Sequence, residues 1–149
     1  MSAGRAGGDG LQEIARSVVW DPLRKKEVTA TPEEQVRQWF IVQLRDVFGV
    51  PVSLMKSEVG FLFGGKRWRA DILVYDRSAQ PLAVVECKRP EVALDASVVE
   101  QAMRYNSVLD VRWLILTNGN STYIYTRKGG VFEPFPRVPS YEEMLQCRL

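Results

Sequence analysis

Apolar and polar positions alternate in two rhythms along this chain, and each change of rhythm marks an element. The first strong signal begins at Thr31. Thr31-Pro32-Glu33-Glu34 offers an N-cap threonine, a proline at the first helical position and a glutamate three residues after the cap. Apolar residues then recur at helical spacing at Val36, Trp39, Phe40, Leu44, Val47 and Phe48, until Gly49-Val50-Pro51 stops the pattern. Strand-like runs follow: one within 54–63, a turn at Gly64-Gly65-Lys66, a second run from Ala70 to Tyr75 and a third from Leu82 to Lys88. Between the last two, Asp76-Arg77-Ser78-Ala79-Gln80-Pro81 has turn composition, which predicts a hairpin.

Asp95 can cap a second helix over 96–109, with a stripe of Val98, Ala102, Tyr105 and Leu109. Trp113 to Thr117 is continuously apolar, as suits a strand buried on both faces. Asn118-Gly119 is a turn signal, Thr122 to Thr126 a fifth strand and Lys128-Gly129-Gly130 another turn. The stretch from Pro134 to Pro139 reads as irregular, and Ser140 to Glu143 as the capping box of a short last helix. Residues 1–20 read as a flexible tail and lead-in, glycine-rich at first, with a short helix or turn over 11–19. The basic triplet Arg24-Lys25-Lys26 has no assignable local structure. Residues 21–149 read as one domain. The order helix, three strands, helix, two strands predicts a mixed α/β fold with a helix crossing between the third and fourth strands.

Composition narrows the chemistry. The chain has 149 residues, 46% hydrophobic and 26% charged, which is globular composition. It has no histidine and two cysteines. That excludes Ser-His-Asp and Cys-His nucleophile systems, His-ligated zinc and a Cys₄ site. Cys87 and Cys147 form neither a CxxC pair nor a disulfide framework, so reduced thiols in a cytoplasmic protein are expected. No apolar run approaches the ~18 residues of a membrane span, and the first ten residues, without an apolar stretch, are not expected to act as a secretory signal. Lys+Arg is 20 against Asp+Glu 18, a net charge of +2, so any affinity for phosphates must come from local clusters.

The hairpin carries the informative constellation. If Asp76 and Pro81 close a four-residue loop, Asp71 lies opposite Glu86 on one face. Alternation puts Lys88 on that face and Cys87 on the other. Two opposed carboxylates repel, so a lysine, a divalent cation or both must compensate. Acidic oxygen ligands without histidine or sulfur suit Mg²⁺ or Mn²⁺. A metal held there would polarise a phosphoryl oxygen, and the lysine would orient or deprotonate the attacking water. An ordinary salt bridge between Lys88 and two acids is the structural alternative.

Arg69-Ala70-Asp71-Ile72 followed by Val85-Glu86-Cys87-Lys88 resembles the D…ExK signature of the PD-(D/E)xK nuclease superfamily. Five segments in order carry the likeness further: Thr31 to Gln38, Lys66 to Arg69, Glu86 to Pro90, Gln101…Tyr105-Asn106 and Leu116 to Gly119. Together they resemble the N-terminal nuclease domain of type I restriction enzyme R subunits, from about Asp21 onward. The resemblance implies a restriction-endonuclease-like α/β fold, a central mixed sheet flanked by helices. It implies Mg²⁺-dependent (or Mn²⁺-dependent) hydrolysis of phosphodiester bonds in DNA, with Asp71 and Glu86 holding the metal and Lys88 serving the water. Gln101 and Tyr105 share a helix face, and in the family this pair lies beside the site. A glutamate from the first helix also belongs to the pattern. Glu34 is explained by the capping box. Glu33 stands roughly 30° from the centre of the apolar stripe at about 100° per residue, so it is preferred as the site acid, although a charge at a helix N-terminus explains it as well.

Around this acidic centre Lys66, Arg67, Arg69, Arg89 and Arg104 form a basic rim suited to phosphate backbone. Trp68 among them is either a stacking platform for a base or a packed aromatic. The chain has no GxxxxGK[ST], so these residues are expected not to translocate DNA and to rely on a helicase motor or restriction–modification subunits in trans. A homodimer would bring two sites to two strands. The alternative function is a nucleic-acid-binding or assembly module that keeps the fold without turnover.

Overall fold

The computed structural model describes residues 17–146 apart from residue 108. The tail over 1–10, most of the short helix or turn expected over 11–19, and Cys147 lie outside these residues. Among the described residues, eight strands and three α-helices follow in the order β1 (Val18–Asp21), β2 (Lys26–Thr29), α1 (Pro32–Gln43), β3 (Met55–Phe63), β4 (Lys66–Tyr75), β5 (Pro81–Cys87), α2 (Ala96–Asn106), β6 (Trp113–Thr117), β7 (Thr122–Lys128), β8 (Val131–Pro134) and α3 (Tyr141–Gln146). Strands β3 to β8 form one sheet in chain order. Every neighbouring pair is antiparallel except β5–β6, which is parallel and joined through α2. The expected mixed α/β architecture, a central sheet flanked by helices, is what the chain adopts.

Two apolar cores lie on the two faces of this sheet. One joins Val36, Phe40, Ile41 and Leu44 of the first helical segment to Ile72, Val74, Val85 and Cys87. The other joins Ala102 of α2 to Leu73, Val84, Leu114 and Leu116. Strand β6 is buried at all five positions, as its unbroken apolar run requires. The helix starting at Thr31 is capped as expected, with the Thr31 hydroxyl accepting from the Glu34 N–H at 3.1 Å. It changes to a π-helical turn over Leu44–Phe48 and ends at Gly49, whose φ of +78° favours glycine.

Three sequence expectations need correction. Residues 18–20 are not lead-in: they belong to β1, which pairs with β2 in a separate two-stranded sheet; Arg24 and Lys25 of the basic triplet lie in its turn and Lys26 opens β2. A sixth strand of the main sheet, β8, was not expected: it takes Val131 to Glu133 and ends on Pro134, while the rest of the stretch to Pro139 is irregular as read. Pro81 pairs with Tyr75, not Asp76, because the register shifts at Val74/Tyr75. The shift is confined to the turn end, where Asp76 accepts backbone N–H groups of Ser78 and Gln80. At the other end Ile72 faces Val85, as the expected register demands.

Candidate active site

The ladder between β4 and β5 runs from Tyr75 to Ile72 and stops there, one residue short of Asp71 and Glu86. Beyond it a side chain replaces the backbone acceptor: Asp71 Oδ2 accepts from the Cys87 N–H at 2.7 Å. Asp71 is thus pinned to the peptide between Glu86 and Lys88. On the other side of β4 the ladder with β3 is also interrupted. Ser57 pairs with Ile72 and Val59 with Ala70, while Glu58 between them has a φ of +55° and no partner strand residue. A glutamate in this left-handed region is sterically unfavourable and is found where surroundings hold it. The break also switches faces. Ala70 belongs to the α2-side core and Ile72 to the α1-side core, although strict alternation would put them together.

This switch modifies the one-face convergence read from the sequence. Asp71 Oδ1 lies 3.5 Å from Arg37 Nη2 of α1. Glu86 Oε1 accepts from Asn106 Nδ2 of α2 at 2.8 Å. The two carboxylates therefore take partners from opposite layers. Lys88 follows β5, and its N–H donates to Thr117 O at 2.8 Å. Burial pushes the Asp71 carboxyl above its ordinary range, and the Cys87 N–H and Arg37 only partly offset this. Partial burial, then repulsion by Asp71, raises the Glu33 carboxyl, while Arg37 and Lys88 pull it down. Glu33 thus feels both Asp71 and Lys88.

The two helix-one glutamates have distinct surroundings. Glu34 is buried among structural partners: Arg24 Nη2 at 2.7 Å, Gln38 Nε2 at 3.0 Å and Arg37 Nη1 at 3.5 Å. Its side chain does not return to the Thr31 N–H, which donates instead to Thr29 O, so only half of the expected capping box forms. Glu33 lines a cleft of about 780 Å³ whose walls also include Arg24, Thr29, Arg37, Glu58, Arg69 and Arg89. Of the five basic residues expected at the rim, Arg69 and Arg89 line this cleft, while Lys66, Arg67 and Arg104 do not. Arg67 borders a separate groove with Gly60, Leu62 and Trp68. Gln101 is exposed on α2 and lines neither. Trp68 is a packed aromatic, its ring 4.4 Å from that of Tyr105. The Tyr105 hydroxyl accepts from the Arg69 N–H at 3.0 Å, which ties α2 to the strand that carries Asp71.

Three residues at this site escaped the sequence reading. Arg37 is 3% exposed and joins Glu34, Glu58 and Asp71. Asn106 is 1% exposed and bonds Glu86. Glu58 pairs with both Arg37 and Arg69, and these cations outweigh its desolvation to hold its carboxyl low. Two of them left a signal. Arg37 directly follows Val36 in the apolar stripe, and Asn106 stands four residues after Ala102, on the same helix face. Nothing in the strand pattern marks Glu58.

The donor chemistry here is carboxylate oxygen without sulfur or imidazole, which suits a hard divalent cation. Among the described residues no group of three or more acidic, cysteine or histidine side chains is clustered as a metal site. Two carboxylates meet the lesser demand of Mg²⁺, which keeps several waters. Among the described residues Glu86 Oε2 takes no hydrogen bond, and Asp71 Oδ1 has only the long contact to Arg37. Asp71 and Glu86 thus fit such an ion in chemistry.

Comparison with known proteins gives the family. Residues 32–139 match the family described as Type I restriction enzyme R protein N terminus (HSDR_N). The match spans well over half the chain, and the protein belongs to this family. Among solved structures the chain is similar to a fragment from Vibrio vulnificus YJ016 assigned to the HsdR subunit of a type I restriction enzyme. The identity is 24% and the TM-score 0.48, covering 62% of this chain and 20% of that one. No protein of curated function matches. Among the described residues no helix is long and apolar enough to cross a membrane.

Proposed function

We propose that this chain is a divalent-metal-dependent nuclease domain that hydrolyses phosphodiester bonds in DNA, within the restriction context its family indicates. The observation that carries the reading is the 2.7 Å hydrogen bond from the Cys87 N–H to Asp71 Oδ2. It joins the aspartate of one strand to the peptide flanked by the glutamate and lysine of the next. Asp71 and Glu86 would hold Mg²⁺ or Mn²⁺ through their open oxygens. Bound there, the ion supplies polarisation of a phosphoryl oxygen and stabilisation of developing charge. Lys88 would orient the attacking water and aid its deprotonation, its positive charge stabilising the hydroxide that forms. Glu33, with its carboxyl raised, would assist in accepting that proton. Arg69 and Arg89 would hold the phosphate backbone at the cleft, and Gln101 is assigned a supporting role on the family resemblance alone. DNA is the proposed partner, with other restriction subunits or a helicase motor acting in trans, and a homodimer as the route to cutting both strands.

The test is cleavage of single-stranded and duplex DNA in Mg²⁺ or Mn²⁺ by the wild type, Asp71→Ala and Lys88→Ala. Each variant is checked for folding by circular dichroism. Loss of cleavage in both folded variants, by roughly a hundredfold or more, is expected for groups that serve the reacting centre. Equal residual cleavage in all three would sink the nuclease reading. A second reading, a binding or assembly module without turnover, draws support from the Arg37 contact to Asp71, because it already places a fixed positive charge beside that carboxylate. It predicts DNA binding that no metal or Lys88 substitution changes.

A further inference from the structure

Arg37 sits where the nuclease reading requires a second cation nearby. Its Nη1 lies 2.6 Å from Glu58 Oε1, a close ion pair, and 3.5 Å from the Ser57 hydroxyl. Its Nη2 lies 3.5 Å from Asp71 Oδ1, and Nη1 lies 3.5 Å from Glu34 Oε1, both longer than a normal hydrogen bond. Its Nε is buried and takes no partner. Arg37 is therefore anchored on Glu58 and only leans on Asp71. Glu58 occupies this position because β3 breaks opposite Asp71 and turns the Glu58 backbone left-handed. Arg69 holds the same carboxylate from the far side.

We propose that Arg37 is the resident counter-cation and positioning residue of Asp71. It neutralises that carboxylate in the metal-free protein and yields it to a divalent cation, because Glu58 and not Asp71 is its principal partner. The inference rests on the nuclease reading, which takes Asp71 as a metal ligand. A partly buried carboxylate without a cation is costly, and Arg37 offsets that cost. A two-pronged Arg37–Asp71 pair would do so more strongly, but it would occupy the oxygens a metal needs. Anchoring on Glu58 avoids this, and it also keeps the guanidinium compensated once Asp71 turns to the metal. The two cations are then coupled through one carboxylate, and each weakens the hold of the other.

The test is calorimetric titration of the full chain with Mn²⁺ alone, together with thermal denaturation with and without Mn²⁺. In Glu58→Gln, Arg37 is released to close on Asp71, and Mn²⁺ affinity is expected to fall roughly fivefold or more. In Arg37→Gln it is expected to rise by a similar factor. Arg37→Lys serves if that variant does not fold: it keeps the charge but cannot span Glu58 and Asp71, so it too binds Mn²⁺ more tightly than wild type. Glu91→Gln changes charge on the same cleft without touching Asp71 or a partner of Arg37, and it is expected to stay within about twofold of wild type. Equal affinity in wild type, Arg37→Lys and Glu58→Gln overturns the proposal, and leaves the metal reading standing if Asp71→Asn abolishes binding. No Mn²⁺ binding by the wild type overturns both.

Discussion

At the scale of single residues, the two raised carboxyls have a consequence for stability. Glu33 and Asp71 are both held above their ordinary range, first by burial. The folded chain therefore binds their protons more tightly than the unfolded chain. The stability tied to these groups is fully present below the ordinary carboxylate pKa and declines as pH rises through the interval up to the raised one. Glu33→Gln removes one such group. It is expected to melt higher than wild type at neutral pH, and the advantage should vanish by about pH 4, where the wild-type carboxyl is itself protonated. Thermal denaturation across this range checks the sign, and an advantage that grows as pH falls would contradict it. A site acid whose removal stabilises the fold while impairing chemistry is the expected mark of a group placed for function.

At the scale of elements, the β6–β7 turn braces the helix that carries Glu33 and Arg37. Gly119 has a φ of +88°, and a Cβ there would stand 3.4 Å from Val36 Cγ2 on α1. Asn118 fixes the same turn, its side-chain oxygen accepting from the N–H groups of Asn120 and Ser121. Gly119→Ala adds a left-handed penalty to a tight contact, so a loss of about 1–2 kcal/mol is expected in chemical denaturation. A neutral result would mean that the turn relaxes away from α1. How far the elements were legible in the sequence follows from the same local chemistry. The Asn118-Gly119 turn, the Thr31 cap and the apolar run of β6 act through near neighbours, so composition reveals them. The β1–β2 sheet was hidden because its strands are four residues each, and Arg24 ties them to the body by reaching Glu34 of α1. Of the candidate site, the hairpin that carries Asp71, Glu86 and Lys88 was legible, because hairpin register is a local property. Arg37, Glu58 and Asn106 meet these segments only through tertiary packing. The kink at Glu58 has no glycine to announce it.

At the scale of the whole molecule, charge is distributed and not massed. A net charge of +2 gives little long-range attraction for a polyanion, so the proposed affinity for DNA would rest on particular cations, those at the cleft first. Their surroundings rank them. Arg69 is exposed but shares its guanidinium with Glu58, a carboxylate already engaged by Arg37. Arg89 is also exposed, and its contact to Glu91 is long at 3.7 Å, an exposed pair of little energetic weight. Arg89 can therefore turn to a phosphate at small cost, whereas Arg69 must leave a partner that would keep its negative charge at the site. Arg104 and Lys66 stand outside the cleft. Arg89→Ala is accordingly expected to weaken duplex binding at low salt and to reduce the slope of log K against log salt by about one. Arg104→Ala should leave both unchanged. Fluorescence anisotropy titrations at several salt concentrations, with Ca²⁺ in place of Mg²⁺, measure both quantities. If Arg104→Ala lowered the slope and Arg89→Ala did not, the backbone would run over α2 and not through the cleft beside Glu33. The Gln101–Tyr105 face would then be the wall against which DNA is held.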